Sequence, residues 1–144
     1  AMRPATCLLD IGTGSGILGI SAIKAGAEFC IGTENDAVCE ENFYLNADIN
    51  GCRDRMLFVL TGLPQEAITM ANAQGAPAAT MIACNMLSEQ FLPHLAALRA
   101  PGLPMVLSGF LTTEREEIHR RVTAAGFKIT QEDALGDWGA LISI

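Results

Sequence analysis

The stretch Leu8-Leu9-Asp10-Ile11-Gly12-Thr13-Gly14-Ser15-Gly16 decides the fold of this 144-residue chain. An apolar run that contains one acid breaks into three alternating glycines, and residues 17–25 then have the pattern of a helix. A buried strand that turns sharply into a helix directs backbone N–H groups and the positive end of the helix dipole toward the turn. Because glycine has no Cβ, a ligand can come against that backbone. The stretch therefore predicts a site for a nucleotide-like ligand.

The third glycine and two acids select among nucleotide ligands. In the dinucleotide fingerprint G-x-G-x-x-G the last glycine permits close packing of helix on strand, and here Ile17 holds that position. Asp10 at the strand end repels a pyrophosphate but tolerates a sulfonium and an α-ammonium group. Glu34 closes the next apolar stretch, roughly 20 residues after the glycines, where a carboxylate accepts hydrogen bonds from ribose hydroxyls. S-adenosylmethionine fits best, and the alternative is a generic strand–turn–helix with a surface glutamate.

Composition sets the class of protein. Hydrophobic residues make up 50% of the chain and charged residues 17%, with a mean hydropathy of +0.31. This profile is typical of a single domain whose sheet is buried on both faces. No apolar stretch approaches the roughly 20 residues that span a bilayer, and no secretion signal is visible, so we expect no membrane partner.

The balance of charge argues against nucleic acid as a partner. The formal net charge is −7, with 9 basic residues scattered among 16 acidic ones. Binding to phosphates requires clustered lysine and arginine, which this sequence does not supply.

Cysteine and histidine usage indicates a reduced protein without a metal site. The five cysteines are odd in number and form no C-x-x-C pair, which predicts a cytoplasmic location. His94 and His119 lack a paired spacing, so we interpret both as structural.

Strand-like and helix-like segments alternate along the chain. The predicted strands cover residues 6–11, 29–33, 56–60, 79–84, 105–108, 127–132 and 139–144. The predicted helices cover residues 17–25, 37–49, 65–73, 89–98 and 113–125. Alternating βα units predict a parallel sheet with helices on both faces. Residues 133–138 are too short for a crossover helix, so the last two strands are expected to form an antiparallel pair. The predicted fold is a doubly wound, Rossmann-like α/β sheet of seven strands with an antiparallel last strand, the variation found in class I S-adenosylmethionine-dependent methyltransferases.

Several segments, in order along nearly the whole chain, resemble one family. They are Leu9-Asp10-Ile11-Gly12-Thr13-Gly14-Ser15-Gly16-Ile17-Leu18, Gly32-Thr33-Glu34-Asn35-Asp36, Asn46-Ala47-Asp48-Ile49-Asn50-Gly51, Asn85-Met86-Leu87, Leu107-Ser108-Gly109-Phe110-Leu111 and Asp137-Trp138-Gly139-Ala140-Leu141. All are similar to the PrmA family of ribosomal-protein methyltransferases. Thr13 stands where the family usually has cysteine, and Glu34 where it commonly has aspartate.

The resemblance implies an enzyme that transfers methyl groups from S-adenosylmethionine to protein amino groups, with a ribosomal protein as a possible substrate. The family also carries an N-terminal domain that recognises this substrate, and a helix before the first strand that contributes a threonine to the cofactor site. Residues 1–144 are expected to be the methyltransferase domain alone.

The site residues follow from the motifs. We expect Asp10, Gly12, Thr13, Gly14, Glu34 and Asn85 to bind the cofactor. Residues 61–64 are expected to flank its adenine. Asn85, at the end of the fourth strand, is also the predicted catalytic residue, because its carbonyl can accept a hydrogen bond from an attacking amine. The alternative is that Asn85 caps the following helix.

Two other functions stay open from the sequence. The chain is either a methyltransferase or a non-catalytic module that retains the fold and binds the cofactor. A small-molecule methyltransferase on the same fold is a third possibility, since function depends on the site and not on the fold.

Overall fold

A computed structural model describes residues 6–144, so the predicted start of the domain at residues 1–5 lies outside the described residues. The strands are β1 (Cys7–Ile11), β2 (Phe29–Glu34), β3 (Met56–Leu60), β4 (Met81–Asn85), β5 (Met105–Leu111), β6 (Ile129–Leu135) and β7 (Trp138–Ser143). The helices are α1 (Ile17–Lys24), α2 (Cys39–Ile49), α3 (Pro64–Ala73), α4 (Ser88–Phe91), α5 (Leu95–Arg99) and α6 (Arg115–Ala124). Short 3-10 turns cover Arg53–Arg55, Leu92–His94 and Thr112–Glu114.

The strands form one sheet in the order β3-β2-β1-β4-β5-β7-β6. The first five strands pair in parallel, while β7 runs antiparallel to both β5 and β6. Only Gly136 and Asp137 separate β6 from β7, and Gly136 has a φ of 60°. The predicted doubly wound sheet with an antiparallel last strand is confirmed. Because parallel strands end at the same edge, the last residues of β1, β2, β3 and β4 lie together at one edge of the sheet.

The core divides between the two faces of the sheet. On one face, α3, α5 and α6 cover a cluster that includes Leu9, Ile31 and Leu107. On the other face, α1 and α2 pack over a smaller cluster around Phe43, which includes Leu8 and Ala83 but, among residues 6–144, no residue of β5, β6 or β7. In the described part of the chain, this second cluster therefore does not extend over the β5-β7-β6 side of the sheet.

Cysteines behave as small apolar side chains. Cys7, Cys30, Cys52 and Cys84 are buried, and all five cysteines are free thiols. In residues 6–144 no helix combines the length and the apolar character that crossing a bilayer requires.

The predicted helix over residues 89–98 is wrong. The segment divides into α4, the turn Leu92–His94 and α5. Pro93 lies within this segment and has no N–H to donate, so a continuous helix is interrupted there.

Two predicted strand ends are also too early by three residues each. β5 continues from residue 108 to Leu111 across a register shift at Gly109, whose φ is +92°. Glycine tolerates this conformation, so it makes a bulge in the strand and does not end it. β6 likewise extends beyond residue 132 to Leu135, because its partner β7 continues to pair with it.

Candidate functional site

The glycine loop after β1 is fixed to the end of β2. The backbone N–H groups of Gly12 and Thr13 both donate to the carbonyl of Thr33, at 3.0 Å each, and the N–H of Gly16 donates to the carbonyl of Thr13 at 2.9 Å. Gly12, Gly14 and Gly16 have φ of 70°, 51° and 80°. These left-handed conformations explain why the turn requires glycines.

The three glycines differ in what surrounds them. A Cβ on Gly16 would lie 2.9 Å from the ring of Phe43, and a Cβ on Gly12 would lie 2.8 Å from the sulfur of Met86. At Gly14, no heavy atom stands within 4 Å of that position. A ligand can therefore approach the loop at Gly14, where no side chain of residues 6–144 stands in the way.

We expect Gly14→Val to abolish cofactor binding without unfolding the domain. The valine side chain would project into the space beside the loop and block a ligand from the backbone there. Gly75→Val is the matched control, because Gly75 also has a positive φ (82°) with nothing within 4 Å of its Cβ position. The two variants should have similar melting temperatures. In calorimetry, Gly75→Val should bind S-adenosylhomocysteine as the parent does, whereas Gly14→Val should not bind it. Retained affinity in Gly14→Val would show that the loop is a structural turn only.

Asp10 lies beneath the loop. It is 1% exposed, and its carboxylate accepts hydrogen bonds from the hydroxyl of Thr13, at 2.7 Å, and from the backbone N–H of Gly19. Burial raises the pKa of Asp10 to about 6, against the lowering effect of these two bonds. The hydrogen bond between Asp10 and Thr13 thus stabilises the glycine loop on its buried side. Direct contact of either side chain with a ligand stays a prediction.

Stability is expected to fall as Asp10 ionises. Its pKa is about 6 in the folded chain against an ordinary value of 3.8, so its contribution is fully present below about pH 4 and is lost as the pH rises through about 6. Between pH 3 and pH 7 the unfolding free energy of the parent should fall by about 3 kcal/mol relative to Asp10→Asn. Urea denaturation at several pH values measures this difference. Parallel pH profiles for the two proteins would contradict the assignment, and Asp36→Asn serves as the exposed-acid control.

Glu34, the last residue of β2, faces the glycine loop. One carboxylate oxygen accepts the N–H of Gly14 at 3.3 Å, and the other accepts the N–H of Asn35 at 2.9 Å. A carboxylate has about four lone-pair positions, so each oxygen retains capacity for a further donor. Glu34 is therefore held at the loop with acceptors free for a pair of hydroxyls.

A cavity of about 820 Å³ opens at this edge of the sheet. Its walls come from the ends of β1, β2 and β3, from the start of α3 and from the segment that runs from Met86 through α4 to α5. The lining residues are Ile11, Gly12, Thr33, Glu34, Asn35, Leu60, Thr61, Gly62, Leu63, Pro64, Met86, Glu89, Gln90, His94 and Leu98. Residues 61–64 thus line the cavity beside Glu34, where the adenine was expected.

The charges of this cavity suit a cationic ligand. Glu34 and Glu89 are the acids among its lining residues, and the lining contains no lysine or arginine. A pyrophosphate would meet carboxylates without a compensating cation, whereas a sulfonium or ammonium group is attracted to them.

Sequence reasoning missed part of this lining. The cavity also contains Glu89, Gln90 and His94, and the interpretation of His94 as structural did not place it there. The Asn85-Met86-Leu87 motif pointed to Met86, but no local signal in the sequence marked Glu89, Gln90 or His94.

Asn85 lies at the end of β4, apart from the glycine loop. It is exposed, and its side-chain oxygen accepts a hydrogen bond from the hydroxyl of Ser108 at 3.2 Å. The interpretation of Asn85 as a helix cap is wrong, because α4 begins only at Ser88 and the side chain of Gln90 accepts the N–H of Leu87 at 3.1 Å. The Asn85 side chain is therefore available at the surface of the site.

A second cavity of about 860 Å³ lies on the other side of Asn85 and Met86. Its lining residues are Asn85, Met86, Leu87, Gln90, Ser108, Gly109, Asp133, Ala134, Leu135, Trp138, Gly139 and Ala140. Met86 and Gln90 line both cavities. The two cavities therefore meet at the β4–α4 segment, one on the side of Glu34 and the other on the side of β5, β7 and β6.

The strand order and the glycine loop at this edge define the class I fold of S-adenosylmethionine-dependent methyltransferases. Residues 1–143 match the family described as Ribosomal protein L11 methyltransferase (PrmA). The chain belongs to this family.

Individual relatives agree with this placement. The chain is 32% identical to the ribosomal protein L11 methyltransferase of Geotalea uraniireducens over 142 residues, which cover 93% of this chain and 41% of the relative. The corresponding protein of Heliobacterium modesticaldum is 29% identical over 143 residues, covering 94% of this chain and 42% of the relative. The chain thus spans less than half the length of these curated relatives.

Solved structures show the same fold. The ribosomal protein L11 methylase of Lactobacillus delbrueckii subsp. bulgaricus superposes with a TM-score of 0.80 at 25% identity, covering 100% of this chain and 72% of that one. M. capricolum TrmK, solved in complex with S-adenosyl-homocysteine, superposes with a TM-score of 0.73 at 13% identity, covering 99% of this chain and 63% of that one.

Proposed function

We propose that this chain is the cofactor-binding and catalytic domain of a protein methyltransferase that transfers methyl groups from S-adenosylmethionine to amino groups, with a ribosomal protein as substrate. One observation carries the proposal: a cavity lined by Gly12 and Glu34 meets a second cavity, lined by Asn85, at their shared residues Met86 and Gln90. A cofactor in the first cavity and an acceptor in the second would therefore face each other across one short segment.

The residues of the first cavity fit S-adenosylmethionine. The glycine loop leaves free space at the Cβ position of Gly14 for the amino-acid part. Glu34 offers two oxygens to the ribose hydroxyls, and residues 61–64 offer a wall to the adenine. The acidic lining without basic residues matches the positive charge of the molecule. When bound, S-adenosylmethionine supplies a methyl group on a sulfonium, which is already activated as a leaving group.

Asn85 is assigned to orient the acceptor. Its side-chain oxygen already accepts the hydroxyl of Ser108 and has a second lone pair for an amine N–H. Such a bond would fix the direction of the amine lone pair, and methyl transfer depends mainly on that alignment.

The acceptor must be a neutral amine, whereas a free lysine has a pKa of about 10.4. Apolar walls such as Met86, Leu87 and Trp138 reduce hydration and favour the neutral form. The proton then leaves to solvent before transfer. We assign no general base.

The substrate class comes from the relatives. The relatives from Geotalea uraniireducens and Heliobacterium modesticaldum are named as ribosomal protein L11 methyltransferases. Because the chain spans less than half of their length, the same substrate is proposed for this chain through family membership.

We expect Asn85→Ala to lower kcat by on the order of 10- to 100-fold, because it removes an interaction that aligns the nucleophile. Affinity for S-adenosylhomocysteine should change little. The assay is transfer of a labelled methyl group to ribosomal protein L11, with Asn42→Ala as the exposed control. A normal rate would leave Asn85 without a catalytic role, and an equal loss of rate and affinity would make it a cofactor residue. Binding of the cofactor without any transfer by the parent chain would favour the non-catalytic module.

A further inference from the structure

We infer that Asn46 of α2 is a positioning residue for the cofactor, because its side-chain amide holds the glycine loop in the shape that S-adenosylmethionine binds. This inference rests on the proposed function, which assigns the loop to the cofactor. Asn46 opens the segment Asn46-Ala47-Asp48-Ile49-Asn50-Gly51, one of those that resemble the PrmA family. No residue of this segment lines either cavity, so a role at the site has to act through another residue.

The Asn46 side chain bonds directly to the loop. Its amide nitrogen donates to the backbone carbonyl of Ser15 at 2.9 Å, across 31 residues of sequence. Ser15 lies between Gly14 and Gly16, which both have a positive φ. Because glycines place few steric limits on the backbone, the loop is intrinsically free to change shape on both sides of Ser15. A hydrogen bond at Ser15 therefore restricts the loop where its own sequence does not.

The bond from α2 complements the bonds that the loop makes to β2. The N–H groups of residues 12–14 donate to the carbonyl of Thr33 and the carboxylate of Glu34, which both belong to β2. The carbonyl of Ser15 instead accepts the amide of Asn46. The beginning of the loop is thus held by β2 and its end by α2.

An apolar residue on the same face anchors α2 against the loop. Phe43 precedes Asn46 by three residues, and positions three apart on a helix are neighbours on its surface. Phe43 is fully buried, and a Cβ on Gly16 would lie 2.9 Å from its ring. The packing of Phe43 therefore fixes the distance of α2 from the loop, while Asn46 fixes the direction of the Ser15 carbonyl.

The effect on the cofactor follows from preorganisation. A loop that already has its bound shape costs less conformational entropy when the ligand arrives. Without the Asn46 amide, cofactor binding would have to order the backbone from Gly14 to Gly16. The net contribution of one such hydrogen bond corresponds to roughly two- to tenfold in affinity.

Asn46→Asp is the most direct variant, because aspartate keeps the shape of the side chain but places an oxygen against the Ser15 carbonyl. Asn50→Asp is the matched control. Asn50 belongs to the same segment, and its amide donates to the backbone carbonyl of Asn46 at 2.8 Å, at the end of α2 and not at the loop. Both variants add one negative charge and remove one side-chain hydrogen bond. Asn46→Ala removes the donor without adding charge, and it serves as the second variant if aspartate prevents folding.

Calorimetry with S-adenosylhomocysteine and hydrogen exchange of the ligand-free proteins test the inference. The affinity should fall by roughly tenfold or more in Asn46→Asp and by roughly two- to tenfold in Asn46→Ala, while Asn50→Asp should stay within about twofold of the parent. Amides of residues 12–16 should exchange faster in Asn46→Asp than in the parent, and at the parental rate in Asn50→Asp. Urea denaturation checks that the compared variants are folded.

Parental affinity in both Asn46 variants, or unchanged exchange in the loop, would overturn the inference and leave the proposed function intact. Equal losses of affinity in Asn46→Asp and Asn50→Asp would also overturn it, because the segment would then act only through the stability of α2. Cofactor binding by the parent without methyl transfer would contradict the proposed function alone. Absence of cofactor binding by the parent would contradict both.

Discussion

The Glu34→Ala variant is expected to bind S-adenosylhomocysteine about ten- to a hundredfold more weakly than the parent. Hydrogen bonds to a charged group contribute about 1.5–3 kcal/mol, and the alanine removes the acceptors proposed for the ribose hydroxyls. It also removes the carboxylate that accepts the Gly14 N–H, so the glycine loop loses a contact with β2. Both effects act in the same direction on affinity.

Glu40→Ala is the matched control, since Glu40 is an exposed carboxylate a few residues farther along the chain. Its affinity should equal that of the parent. Calorimetry at one pH and salt concentration measures all three proteins. If Glu34→Ala retains the affinity of the parent, the ribose assignment is wrong.

The second large effect is expected at Gly109, where alanine should destabilise the domain by about 2–4 kcal/mol. Gly109 has a φ of +92°, and a Cβ would lie 2.4 Å from the carbonyl oxygen of Met86 and 2.8 Å from the side-chain oxygen of Asn85. Alanine would strain the backbone, and the β4–α4 segment would have to move away from β5. The hydrogen bond from Met86 N–H to the carbonyl of Ser108, at 3.3 Å, would weaken with that movement.

Gly75→Ala separates the strain from the contact. Gly75 has a φ of +82° but nothing within 4 Å of its Cβ position, so its alanine variant carries the conformational cost alone. Urea denaturation should show a clearly larger loss for Gly109→Ala than for Gly75→Ala. Equal losses would mean that the close approach of β5 to Met86 does not exist.

The sheet could be predicted from the sequence because its strands are local apolar runs. Residues 56–60 were predicted with both bounds correct, and the short link before β7 indicated its antiparallel direction. The errors arise where a residue acts against the local pattern. Pro93 interrupts an apolar run whose pattern predicts one continuous helix. Gly109 lies inside a strand that the sequence pattern predicts to end at residue 108.

The site could be predicted from the sequence where its residues lie at the ends of neighbouring parallel strands. Glu34 and the glycine loop are adjacent because β1 and β2 pair in parallel, and this adjacency follows from the motif. The position of Asp10 beneath the loop depends on which face of β1 its side chain occupies, which the carboxylate alone did not indicate. Asp133 and Ser108 join Asn85 only through the register of four strands, so no local signal marked them.

The most direct test of the account is calorimetric titration of the parent chain with S-adenosylhomocysteine and, separately, with NAD. We expect saturable one-to-one binding of S-adenosylhomocysteine and no binding of the pyrophosphate-containing dinucleotide. This expectation rests on the glycine loop, the carboxylate of Glu34 and a cavity lined by acids without basic residues. Absence of S-adenosylhomocysteine binding, or tighter binding of NAD, would contradict the assignment of this cavity to S-adenosylmethionine.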